Sequence, residues 1–166
     1  MRKYWHVLAV LVLLAALSGC GMIFDLLGDL DDGDDDDFVP AITADQYEDD
    51  SQYTTDLSVG GSQLRTLHDS VDVDWVRIYL TENSTYQLET YSAGNGRDVD
   101  TVIMVHEDSS PSPPTYLDES HATWYDDDDG DGTYSYIQLT ANYTGYHWVR
   151  IRGYSGGTGE YWITLY

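Results

Sequence analysis

At 166 residues the chain has room for one ordinary domain and a short leader. Thirty acidic residues face seven basic ones, a formal net charge of −23, and such a field repels nucleic acid while concentrating divalent cations. One cysteine excludes an internal disulfide.

The first predicted element is a leader. Arg2 and Lys3 give a basic start, Val7 to Leu17 an apolar run, and Ser18 and Gly19 are small residues ahead of Cys20. The run falls short of the roughly 20 apolar residues a helix needs to cross a bilayer, so residues 1–19 read as a cleaved signal peptide. Leu17-Ser18-Gly19-Cys20 resembles the lipobox of bacterial lipoproteins. The resemblance implies lipid attachment at Cys20, which becomes the new N-terminus, and several acyl chains supply the multiple hydrophobic signals that stable anchoring requires. Gly21 stands where retention at the inner membrane would call for aspartate, so the expected address is the bacterial cell envelope, at the outer membrane or cell surface.

Residues 20–40 read as a lipidated cysteine and an acidic tether. Seven of the nine residues from Asp29 to Asp37 are aspartate, and a run of like charges has neither the apolar area nor the attraction to pack. Asp29, Asp31 and Gly33 match part of a calcium-loop pattern, but the closing bidentate glutamate is missing.

From Ala41 the texture becomes that of β structure. Val76, Ile78 and Leu80 alternate with Trp75, Arg77 and Tyr79; Tyr86 and Leu88 with Gln87 and Glu89; Val149 and Ile151 with Arg150 and Arg152; Tyr161, Ile163 and Leu165 with Trp162 and Thr164. Adding residues 63–67, 101–106 and 134–139 predicts about seven strands separated by Gly-, Asn-, Asp- and Ser-rich turns. The expected fold is all-β, an antiparallel, jelly-roll-like β-sandwich of seven to eight strands over residues 41–166.

The motifs in this region, taken in order, resemble the bacterial pre-peptidase C-terminal domain, a sandwich often appended to secreted peptidases and related to the collagen-binding domains of clostridial collagenases. Asp45-Gln46-Tyr47-Glu48-Asp49-Asp50 is similar to the family's acidic opening, Asp72-Val73-Asp74-Trp75 to its Asp-x-Asp-Trp strand start, and Thr85-Tyr86-Gln87-Leu88-Glu89-Thr90 to a following strand. Asp100-Thr101-Val102-Ile103, the acidic loop Asp126 to Asp129, and Gly145 to Tyr154 followed by Gly159-Glu160-Tyr161 complete the series. The chain departs from the pattern at His106 and His147, where aromatic tyrosines are usual, and in a Pro-rich insertion between residues 106 and 123.

Calcium is the expected cofactor. It takes six to eight oxygens in irregular geometry, which carboxylates from separate loops can supply. The resemblance implies a site at Glu48 and Asp50 with Asp72, joined by Asp69 or Asp74, although Ser51 replaces a second aspartate common in the family. A second candidate comes from the residues themselves: Asp127, Asp129 and Asp131 stand at alternate positions with Gly130 and Gly132 permitting a tight turn, while Gln138 sits where a calcium loop would place its glutamate. For both, a solvated acidic turn is the alternative.

No catalytic constellation stands out. Gly153-Tyr154-Ser155-Gly156-Gly157 matches the Gly-x-Ser-x-Gly nucleophile pattern, but that motif works on a strand-to-helix turn and here a strand is predicted to follow. His68, His106, His121 and His147 are too scattered to suggest zinc. The expected role is a non-catalytic, membrane-anchored binding or structural module for extracellular protein or polysaccharide, with Tyr134, Tyr136, Trp148 and Trp162 as candidate contacts unless they are core aromatics. The alternative is an accessory maturation or targeting factor for a separately encoded secreted peptidase.

Overall fold

The period-two runs become strands, and their buried positions define the sandwich. In the computed structural model the described residues are 41–45, 55–108 and 117–166. The expected signal peptide and tether, with Cys20, and residues 46–50 of the acidic opening, with Glu48 and Asp50, lie outside them.

Nine strands run through the described residues: β1 (Thr55–Leu57), β2 (Ser62–Leu67), β3 (Val73–Leu80), β4 (Thr85–Ser92), β5 (Thr101–His106), β6 (Trp124–Asp126), β7 (Tyr136–Thr140), β8 (Gly145–Gly153) and β9 (Gly159–Leu165). One sheet has the order β1-β3-β8-β5-β6 and the other β2-β9-β4-β7. All pairings are antiparallel except β1 with β3, which is parallel. The all-β sandwich expected from the alternation is therefore present, with β1 and β6 in addition. Each of these is three residues long, too short to show a period.

The inner faces meet in one core. Val76, Ile78 and Leu80 of β3, Ile103 and Val105 of β5, and Val149 and Ile151 of β8 pack with Leu67, Leu88, Ile137, Leu139, Tyr161, Ile163 and Leu165 from the other sheet. Burying such side chains is worth about 1.5–3 kcal/mol each, the main force holding the layers together. A smaller cluster covers the outer face of the five-stranded sheet, where Trp75 meets Trp148 edge to face with centroids 6.4 Å apart and Leu117 packs over them.

His106 and His147 sit inside strands. Both are buried, with Nδ1 3.2 Å from the carbonyls of His121 and Gly145 respectively, and His147 stacks on Tyr143 with ring centroids 4.3 Å apart. Flat rings thus fill both positions.

Register places several loops at one end of the molecule. Val73, at the start of β3, pairs with Arg152 near the end of β8; Thr101, at the start of β5, pairs with Gly153; and Asp126 closes β6 beside Ile103. The segments before β3 and β5, after β6, and between β8 and β9 therefore share this end.

Candidate functional site

The acidic loop after β6 is built around one carboxylate. Asp126 is buried and its Oδ2 accepts the backbone N–H groups of Asp129, at 3.0 Å, and Tyr136, at 2.8 Å. That holds the two stems of the 127–135 loop together. Inside the loop the Gly130 N–H donates to the Tyr134 carbonyl at 2.8 Å, and a side chain at 130 would collide with that same carbonyl.

A buried hydroxyl cluster ties this loop to β5. Ser135 Oγ lies 2.6 Å from the Thr101 carbonyl and 3.1 Å from that of Asp127, Thr90 Oγ1 is 2.6 Å from Thr101 Oγ1, and the Ser135 N–H donates to Thr90 Oγ1 at 3.0 Å. β4, β5 and the loop residue before β7 are thereby fixed around residue 101. Asp100, directly before it, is brought against the loop.

The result is a trio of carboxylates. Asp100, Asp127 and Asp128 each offer an oxygen, and these oxygens lie within 4.8 Å of one another. Asp100 Oδ1 and Asp127 Oδ1 are buried and accept no hydrogen bond. Burial raises the pKa of both carboxyls. For Asp100 the charges of Asp127 and Asp128 add to the rise, and for Asp127 that of Asp128, partly offset by Arg152. Oxygens sharing one calcium shell are at most about 5 Å apart, so the donor set, its spacing and its two unpartnered oxygens fit a hard divalent cation.

Of the residues singled out in sequence, Asp127 belongs to this trio, while Asp129 and Asp131 are exposed neighbours outside it. Asp100 and Asp128 lie outside the sequence candidates: alternate spacing passes over Asp128, and Asp100 belongs to the Asp100-Thr101-Val102-Ile103 motif just before a predicted strand. At the other predicted site, Asp72 is buried, its Oδ2 2.7 Å from both the backbone N and the Nδ1 of His68. Asp69 lies exposed beside it, with Oδ1 accepting the Val71 N–H at 2.8 Å. Asp74 points between the sheets, where Tyr161 donates its hydroxyl to Oδ2 at 2.6 Å and Arg65 approaches Oδ1 at 3.8 Å.

No family model and no curated protein sequence matches the chain. Solved structures do. The pre-peptidase C-terminal domain of a collagenase from Bacillus anthracis aligns over 68% of this chain and 94% of its own, with a TM-score of 0.51 at 12% identity. The described domain shares the fold of that collagenase domain. Two further structures align over the same 68% of this chain: PliG, a periplasmic inhibitor of g-type lysozyme from Aeromonas hydrophila (97% of its chain, TM-score 0.44, 9% identity), and CorA, a surface-associated copper-binding protein from Methylomicrobium album BG8 (98% of its chain, TM-score 0.42, 8% identity).

On this sandwich the aromatic candidates divide. Trp148 and Tyr134 are buried, whereas Tyr136 and Trp162 are half-exposed on the outer face of the four-stranded sheet, where Trp162 stacks on Tyr91 with 12° between ring planes. Ser155 of the Gly-x-Ser-x-Gly match lies in a 3-10 turn at φ 50°, and β9 begins at Gly159, so no strand-to-helix elbow presents its hydroxyl.

Proposed function

We propose that this chain is a non-catalytic binding or structural module of the bacterial cell envelope, held at a membrane by lipid on Cys20 and presenting a calcium-stabilised sandwich to extracellular protein or polysaccharide. The observation that carries the calcium assignment is the Asp100–Asp127–Asp128 trio, with two buried oxygens that accept no hydrogen bond. Calcium there neutralises the mutual repulsion of the three carboxylates and cross-links the start of β5 to the loop after β6. The lipid anchor is supported by the Leu17-Ser18-Gly19-Cys20 motif.

Thermal unfolding of the full chain in calcium and then in excess chelator tests the assignment. A ligand held only by the folded state stabilises by RT ln(1 + [L]/Kd), so tenfold excess over Kd raises the midpoint by about 5 °C. Asp127→Asn and Asp100→Asn are each expected to remove that rise. A midpoint indifferent to millimolar calcium refutes the site. Esterase and peptidase assays test the non-catalytic reading, for which Ser155→Ala leaves any residual rate unchanged.

A further inference from the structure

Four of the five arginines among the described residues reach a carboxylate: Arg65 reaches Asp74 at 3.8 Å, Arg77 Asp56 at 2.6 Å, Arg97 Glu160 at 3.3 Å and Arg152 Glu119 at 3.1 Å. Arg150 does not. Among the described residues its one close polar partner is the thioether of Met104, 3.5 Å from Nη1, a weak acceptor. In so acidic a chain a half-buried guanidinium that Asp118 and Glu119 reach only at longer range, with no close carboxylate, is an exception that asks for a ligand.

Arg150 also lines a cleft. Together with Arg152, the Ser70–Val73 turn before β3, and Gly153, Ser155 and Gly156 after β8, it bounds a cavity of about 310 Å³. Burial, and then the charge of Arg152, push the Arg150 guanidinium below its ordinary pKa, a strain that an incoming anion relieves. The remaining lining is polar. Ser70 and Ser155 carry hydroxyls, and Asp72 Oδ1 is buried without a hydrogen-bond partner, an acceptor for a hydroxyl. Ser155 and Gly156 hold left-handed backbone at φ 50° and 77°, which shapes this wall.

We propose that this cleft binds a sugar carboxylate, one uronate residue of an acidic polysaccharide, with Arg150 taking the carboxylate in a two-pronged hydrogen bond and Asp72 accepting a ring hydroxyl. The volume is at the small end for ligand sites and suits one unit of a polymer. Arg150 favours an anion, with Arg152 beside it already paired to Glu119, and the unpartnered acceptor with two serines favours an anion that carries hydroxyls. The assignment deepens the binding-module reading and rests on it for taking an extracellular polysaccharide as the ligand.

Calorimetric titration of the full chain with trigalacturonate at about 0.15 M salt, which screens the repulsion between a trianion and a chain of net charge −23, tests the cleft. Binding is expected, and it weakens tenfold or more on Arg150→Gln, as loss of a charged hydrogen-bond pair requires, and likewise when the trimer is fully methyl-esterified. Arg97→Gln removes the same charge beside Glu160 of the other sheet and is expected to leave affinity unchanged. Arg150→Lys keeps the charge and the stem, serves if the glutamine variant fails to fold, and is expected to bind severalfold more weakly because an ammonium cannot form the fork. Equal losses in the Arg97 and Arg150 variants, undiminished binding of the ester, or preference for a tripeptide with a free C-terminus would each overturn the assignment. A chain that responds to calcium yet ignores trigalacturonate also overturns it and leaves the module reading standing.

Discussion

Asp74 faces a dry interior, and its protonation links stability to pH. Burial is the largest influence and pushes its carboxyl up to about 8, against the lowering effects of the Tyr161 hydroxyl and the Arg65 charge. A folded pKa above the unfolded value of 3.8 means that the folded chain holds a proton the unfolded chain releases. The contribution is complete below 3.8 and is lost as pH rises through about 8. Asp74→Asn, which resembles the protonated acid, is therefore expected to flatten the decline between pH 5 and 9 in urea unfolding. Asp74→Ala removes the buried acceptor of the Tyr161 hydroxyl and is expected to cost about 1–3 kcal/mol across that range. The buried histidines act in the opposite sense. Desolvation lowers the pKa of His106 and His147 below 6.5, so the unfolded chain takes up their protons first and their stability contribution is lost as pH falls through that value. His147→Phe keeps the stack on Tyr143 and is expected to narrow the gap between thermal midpoints at pH 7 and pH 5.

At the scale of elements, the long strands were legible because their environment alternates. β3 and β8 have one face in the core and one outside, and the pattern of Val76, Ile78 and Leu80 against Arg77 and Tyr79 reports that directly. β5 is buried at every position from Thr101 to His106, since its outer face is covered as well, and it reads as a plain apolar run. The cation site was only half legible. A run of aspartates marks the 127–131 loop, but which of them converge depends on Asp100, 27 residues earlier, and on the Ser135 and Thr101 contacts that draw the two segments together. No local spacing encodes that meeting. Gly130 is the element's most restrictive position, and Gly130→Ala is expected to cost about 1–3 kcal/mol by overpacking and to blunt the calcium-induced rise in midpoint.

For the whole molecule, charge and topology set the behaviour. A net charge of −23 opposes compaction, so raising sodium chloride from 10 mM to about 0.5 M is expected to lift the unfolding midpoint as repulsion is screened, with calcium effective at far lower ionic strength. A midpoint that does not move with salt would show that the acids are spaced widely enough to ignore one another. The acidic trio and the arginine cleft share an end of the sandwich, with the β8–β9 connection between them and the Tyr154 N–H bonded to the Asp100 carbonyl at 2.9 Å. The margins of the five-stranded sheet have their own effect. Both outermost strands, β1 and β6, are only three residues long, so a neighbouring copy meets too few free backbone groups to extend the sheet sideways. Crowded side by side at high density, such molecules are poorly suited to zip together along this sheet, and the longer margins β2 and β7 of the other sheet, six and five residues, are where sideways pairing would have to begin.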